Sequence, residues 1–185
     1  MFYEEIVNFL TSKGLSEVVS QGLATVIIVA SISLVVIVIN FITKKVILSF
    51  FKRIAKSTSS SFDDLLIKNK VPGLLSYIPS LFFLFWIIPS YSNTLYLLIE
   101  AFTVILFILT VRAILNTVKD YFKSSDSLKH IPVDSYIQVI MIFIWFVGVI
   151  LILSILTGRE VGTFLASLGA LSAIIILVFR DTILG

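Results

Sequence analysis

The chain has no cysteine. Disulfides and thiolate metal sites are therefore excluded, and nothing follows about compartment. It has one histidine, His130, in a polar stretch. That leaves neither a metal cluster nor a catalytic triad, and no apolar segment pairs a nucleophile with a base. No enzyme activity, metal or cofactor is expected. Charge is scarce as well: Asp, Glu, Lys and Arg make up 14% of residues. The net charge of +3 would suggest a nucleic-acid partner only if the basic residues clustered on a soluble face, and they flank apolar runs instead. The first residues, MFYEEIVNFL, are acidic and lack the basic region of a cleaved signal peptide. No internal repeat and no soluble domain is visible.

What the chain does have is apolar length. Of its 185 residues 58% are hydrophobic, and mean hydropathy is +1.11. Several uncharged runs reach the roughly 20 residues that cross a bilayer core. A lone segment in lipid must satisfy its own backbone, so these runs are helices. The fold expected is an all-α integral membrane protein with five transmembrane helices.

Residues 1–20 carry Phe2, Ile6, Phe9 and Leu10 at helical spacing, which predicts an amphipathic interfacial helix. Residues 21–157 hold four peripheral spans, at about 22–43, 73–89, 94–115 and 133–156. The basic stretch KKVILSFFKRIAK continues the first span, and Lys44, Lys45, Lys52, Arg53 and Lys56 in it serve as a topology signal or hold anionic lipid. A polar connector follows, with Asp63 and Asp64 near a helix start. Pro79 predicts a kink in the second span, and PSYSN at 89–93 a hairpin turn. Glu100 and Arg112 lie inside the third span; Glu100 is about a turn from one end, and Arg112 can snorkel to the other. Trp86 and Trp145 are assigned to packing. Pro132 suits the start of the fourth span. The fifth, 161–179, belongs to a terminal unit, 158–185.

Basic residues set the expected orientation. Residues 44–70 hold seven Lys/Arg, residues 112–134 four, and Arg180 adds one. The opposite ends hold only Lys13 and Arg159. The N-terminus is therefore expected outside and the C-terminal end in the cytoplasm.

The terminal unit is unlike the other spans. At 100° per residue, Gly162, Ala166, Gly169 and Ala173 fall within about 60° of one another. Arg180 lies on the same stripe and Leu177 at its edge. Phe164, Leu168, Leu171, Ile175 and Val178 occupy the opposite side. A small face of this kind lets helices approach closely in lipid. Ringed round an axis, it would line a pore, with Arg180 at the mouth.

The stretch ASLGALSAIIILVFRDTILG resembles the pore-lining helix of the small-conductance mechanosensitive ion channel (MscS-like) family. LVFRDTILG is similar to the miniconductance (YbdG-type) subgroup. The resemblance covers about 25 residues of the membrane part. The family continues, past the position of Gly185, into the second half of the pore helix and a cytoplasmic β-rich domain. The resemblance implies a multi-pass bacterial inner-membrane protein and a homo-oligomer, a heptamer, with membrane lipids and permeant ions as partners. Tension opens such a pore and releases ions and small solutes under hypo-osmotic stress. It implies pore-lining roles for Gly162, Ala166, Gly169, Ala173, Leu177 and Arg180. The family's gate positions fall on Ala173 and Leu177, and its helix kink on Arg180–Asp181. Ala173 is smaller than the usual sealing leucine, and Asp181 stands where the family has a flexible glycine. Two other readings stay open: a secondary transporter, disfavoured by the lack of repeats and of a polar midplane site, and a membrane anchor or scaffold for a soluble domain.

Overall fold

The computed structural model describes residues 2–57, 61–90, 93–124 and 132–184, and every regular element among them is helical. His130 and parts of the polar loops lie outside the described residues. The elements are α1 (Phe2–Ser12), α2 (Glu17–Ser57), α3 (Ser61–Lys68), α4 (Val71–Leu75), α5 (Ile78–Ile87), a 3-10 turn (Ile88–Ser90), α6 (Asn93–Ser124), α7 (Val133–Thr157) and α8 (Val161–Leu184). Four of these, α2, α6, α7 and α8, are long and apolar enough to cross a membrane, and a bent pair raises the number to five.

α1 forms where the amphipathic pattern predicts it, but it is shorter than residues 1–20. It stops at Ser12, and Gly14 turns the chain at φ 91°, a conformation glycine adopts freely. Tyr3, Ile6, Val7 and Leu10 make a half-buried stripe, and α1 packs on α2.

α6 and α7 form the best-packed pair. Ile108 of α6 is 1% exposed and lies against Gly148 of α7. At one end of the pair, Asp134 of α7 takes ion pairs from both Lys119 and Lys123 of α6, at 2.6 Å each. Residue numbers fall along α6 as they rise along α7, so the two run antiparallel. The contact at Gly148 is close because glycine lets the two backbones approach. A Cβ there would meet Ile108 Cγ1 at 3.3 Å, and Ile108 Cδ1 lies closer still. We therefore expect Gly148→Leu to overpack the crossing and cost about 1–3 kcal/mol. A thermal unfolding scan in detergent checks this; an unchanged midpoint would mean that α6 and α7 do not meet there.

The second span departs from expectation. Residues 73–89 are not one kinked helix but α4, α5 and a 3-10 turn in sequence. Pro72 and Pro79 each sit in the first turn of a helix, where a missing N–H costs nothing. Pro79 therefore starts α5 rather than kinking it, and the chain breaks before it, at Ser76–Tyr77. The sharper corner is at Asn69–Lys70, where α3 and the segment Val71–Ile87 differ in direction by 61°. Lys70 takes it in the left-handed conformation, φ 61°. Polar contacts then fasten α3 to α6. Lys68 Nζ and Asn69 Nδ2 both donate to Asp120 Oδ2, at 3.3 and 3.2 Å. The rings of Phe62 and Tyr121 meet edge to face, with centroids 5.6 Å apart.

Trp86 does not pack inside the chain. It is 80% exposed on α5, whereas Trp145 on α7 is only 39% exposed. Trp86 thus lies on the outer side of its helix, where lipid or another chain would meet it.

Candidate functional site

α8 starts at a built turn. Gly158 closes α7 in the left-handed conformation, φ 67°. Ser154 Oγ donates to Arg159 O at 2.5 Å, and Thr163 N donates to Glu160 O at 3.0 Å. From there α8 runs without a break through Leu184, and so through the backbone of Arg180 and Asp181. The expected kink at that pair is not present as a break in the helix of this single chain.

The chain gives α8 almost nothing to rest on. Its main contact is with α7, and none of its membrane-length stretch, Val161–Arg180, is buried. The two half-buried residues are Val161 and Phe164. Phe164 lies on the bulky side, and Val161 is about 60° from it. The small side is left bare: Gly162, Ala166, Gly169 and Ala173 are all exposed, and a Cβ added at Gly162 or Gly169 would meet nothing within 4 Å. Leu177 is 70% exposed, and Arg180 is exposed. The sequence-predicted residues thus lie on one helix, along one side, with that side unoccupied. Among the described residues nothing else converges on them.

Two features outside α8 went unread in the sequence. Glu100 has a partner one turn away: the Tyr96 hydroxyl donates to its carboxylate. The i, i+4 spacing could have revealed this pair. Tyr96 also meets Phe85 edge to face, which ties the end of α5 to the start of α6. The second feature is an apolar groove of about 430 Å³ between α5 and α6. Buried Leu81 and Leu106 line it, with exposed Phe82 and Phe107. Thr103 and Thr110 also face it, but each hydroxyl donates to its own helix, to Ile99 O and Leu106 O at 2.8 Å. Among the described residues no three His, Asp or Glu side chains are grouped as metal ligands would be.

No known protein family, curated protein or solved structure matches this chain.

Proposed function

We propose that the chain is the membrane part of a tension-gated ion channel, a homo-oligomer in which copies of α8 ring a central pore. One observation carries this reading. α8 is apolar and of spanning length, yet from Leu165 to Arg180 it is exposed all round, so its small side is left free among the described residues. A helix that served only to fill its own bundle would bury the face that allows the closest approach. α2, α6 and α7 are then the peripheral helices that meet lipid, and tension acts on α8 through the α7–α8 turn. The resemblance of residues 161–185 to the mechanosensitive family supplies the gating stimulus and the heptamer. In this reading Leu177, with Ala173 one turn outward, forms the seal, and Arg180 sits at the cytosolic mouth. A kink at Arg180–Asp181 would form on assembly.

The direct test is electrical. Purified chain is reconstituted into giant liposomes, and excised patches are stretched by suction. Stepwise currents that appear with tension and vanish without protein support the reading. Silent patches from membranes shown to contain oligomers count against it.

The same reading fixes orientation, with the N-terminus outside and the C-terminal end cytoplasmic. The natural absence of cysteine makes labelling clean. We expect Ser16→Cys to react with an impermeant thiol reagent applied to whole cells, and Ser124→Cys to react only after lysis. External reaction at Ser124 would invert the topology and remove Arg180 from the cytosolic side.

A further inference from the structure

α2 outruns a bilayer. Its uncharged run, residues 18–43, already measures about 39 Å, against a core of about 30 Å. The helix nevertheless continues to Ser57. On this extension the side chains sort into strips. Thr43, Ile47 and Phe51 are half-buried, at a spacing of four, and α3 and α4 pack on α2. Val46, Phe50 and Ile54, also four apart, are 61%, 60% and 36% exposed. Lys45, Ser49, Lys52 and Arg53 are exposed and share an arc of about 100° beside that apolar strip.

These cations differ from three at the same end of the bundle that are paired, and share their unpaired state with Lys44 and Lys70. Lys68 pairs with Asp120, and Lys119 and Lys123 pair with Asp134. Lys45, Lys52 and Arg53 have no acidic partner among the described residues. Asp63 and Asp64 stand on α3, which packs on α2, yet no ion pair joins them to the strip. A topology signal needs only positive charge. An unpaired basic strip beside an exposed apolar one has the form of a surface for a charged lipid interface.

We infer that Lys45, Lys52 and Arg53 bind the headgroups of anionic phospholipids, with Val46, Phe50 and Ile54 set against the acyl chains alongside. The phosphate is held by two ammonium groups and by a guanidinium able to take it bidentately. The inference needs a membrane but no channel, so its failure leaves the pore reading untouched.

The test places a donor dye on Ser49→Cys, within the strip, in the full chain reconstituted into an equal mixture of phosphatidylglycerol and phosphatidylcholine. Energy transfer is compared between trace acceptor-labelled phosphatidylglycerol and acceptor-labelled phosphatidylcholine. A cation near an anionic surface favours the anionic lipid about fivefold, so the transfer ratio should show an enrichment of about that size at low salt. It should fall toward one in high salt, as screening requires. K45Q/K52Q/R53Q should abolish the enrichment, and K45R/K52R/R53K, which keeps the charge, should retain it. Helicity is matched by circular dichroism, so that loss of fold is not read as loss of binding. A ratio of one in the parent protein, an enrichment indifferent to salt, or one that survives the glutamine substitutions would overturn the inference.

Discussion

If α8 lines a tension-gated pore as proposed, Leu177→Ser is expected to open at markedly lower tension than the parent protein. On α8, Leu177 lies about 22 Å along the helix from Gly162, which in the proposed orientation is the cytosolic half of the membrane. It stands at the edge of the small face and is 70% exposed in the single chain, so an oligomer is free to use it. A ring of leucines there is narrow and poorly wetted, and it stops ions without a plug. Keeping a leucine side chain from water is worth about 2 kcal/mol. Summed over several copies, the dry ring favours the closed state by on the order of 10 kcal/mol. Serine removes most of that preference, and the opening threshold falls. Ile175→Ser is the control. Ile175 lies about 20° from Phe164 round the helix, on the bulky side, away from the small face. Its replacement can disturb packing but does not wet a pore. The thresholds of both variants are measured in patches at matched protein density. An unchanged threshold and leak for Leu177→Ser would move the constriction off this residue.

The second large effect is expected at Gly169. Within one chain a Cβ added there meets nothing within 4 Å. Replacing a helical glycine even improves propensity, by up to about 1 kcal/mol. Gly169→Leu should therefore leave the folded chain as stable as before, or slightly more so. Between copies the outcome reverses. The small face is what lets helix backbones approach, and lipid supplies no hydrophobic drive to compensate for lost contact. Each interface in the ring is overpacked by about 1–3 kcal/mol, and the cost recurs at every copy. We expect the oligomer to dissociate, or the axis to be filled, with tension-activated current lost either way. Size measurement in mild detergent and a thermal scan are read together. A lost oligomer with an unchanged melt places the effect between chains. An intact, conducting oligomer would show that Gly169 faces neither a neighbour nor the pore.

Hydropathy located the apolar stretches well because lipid imposes a length. It did not locate helix ends, because a helix need not stop where the membrane does. α7 coincides with its expected span, since Pro132 precedes its start and Gly158 ends it. α6 and α2 overshoot theirs. α6 reaches Ser124, where Lys119 and Lys123 find Asp134 and Tyr121 finds Phe62. The second span was misread for a different reason. Pro72 precedes it and Pro79 and Pro89 lie within it, and a proline can begin a helix as easily as bend one. The corner at Lys70 had no sequence signal, because lysine has no preference for the left-handed conformation it adopts. The small face of α8 was legible in full, since it depends on residue size and helical spacing alone. That α8 leaves this face bare was not legible, because it depends on what the other helices do with their own surfaces.

The central claim is that the small side of α8 lines a conducting pore. Single cysteines in the cysteine-free chain test it most directly. Ala166→Cys and Ala173→Cys on the small side are compared with Leu171→Cys and Ile175→Cys on the bulky side, in patches held open by suction while a water-soluble thiol reagent is applied. The account predicts that current falls irreversibly for Ala166→Cys and Ala173→Cys and is unaffected for the other two. Block at the bulky-side positions, with the small-side positions silent, would contradict it.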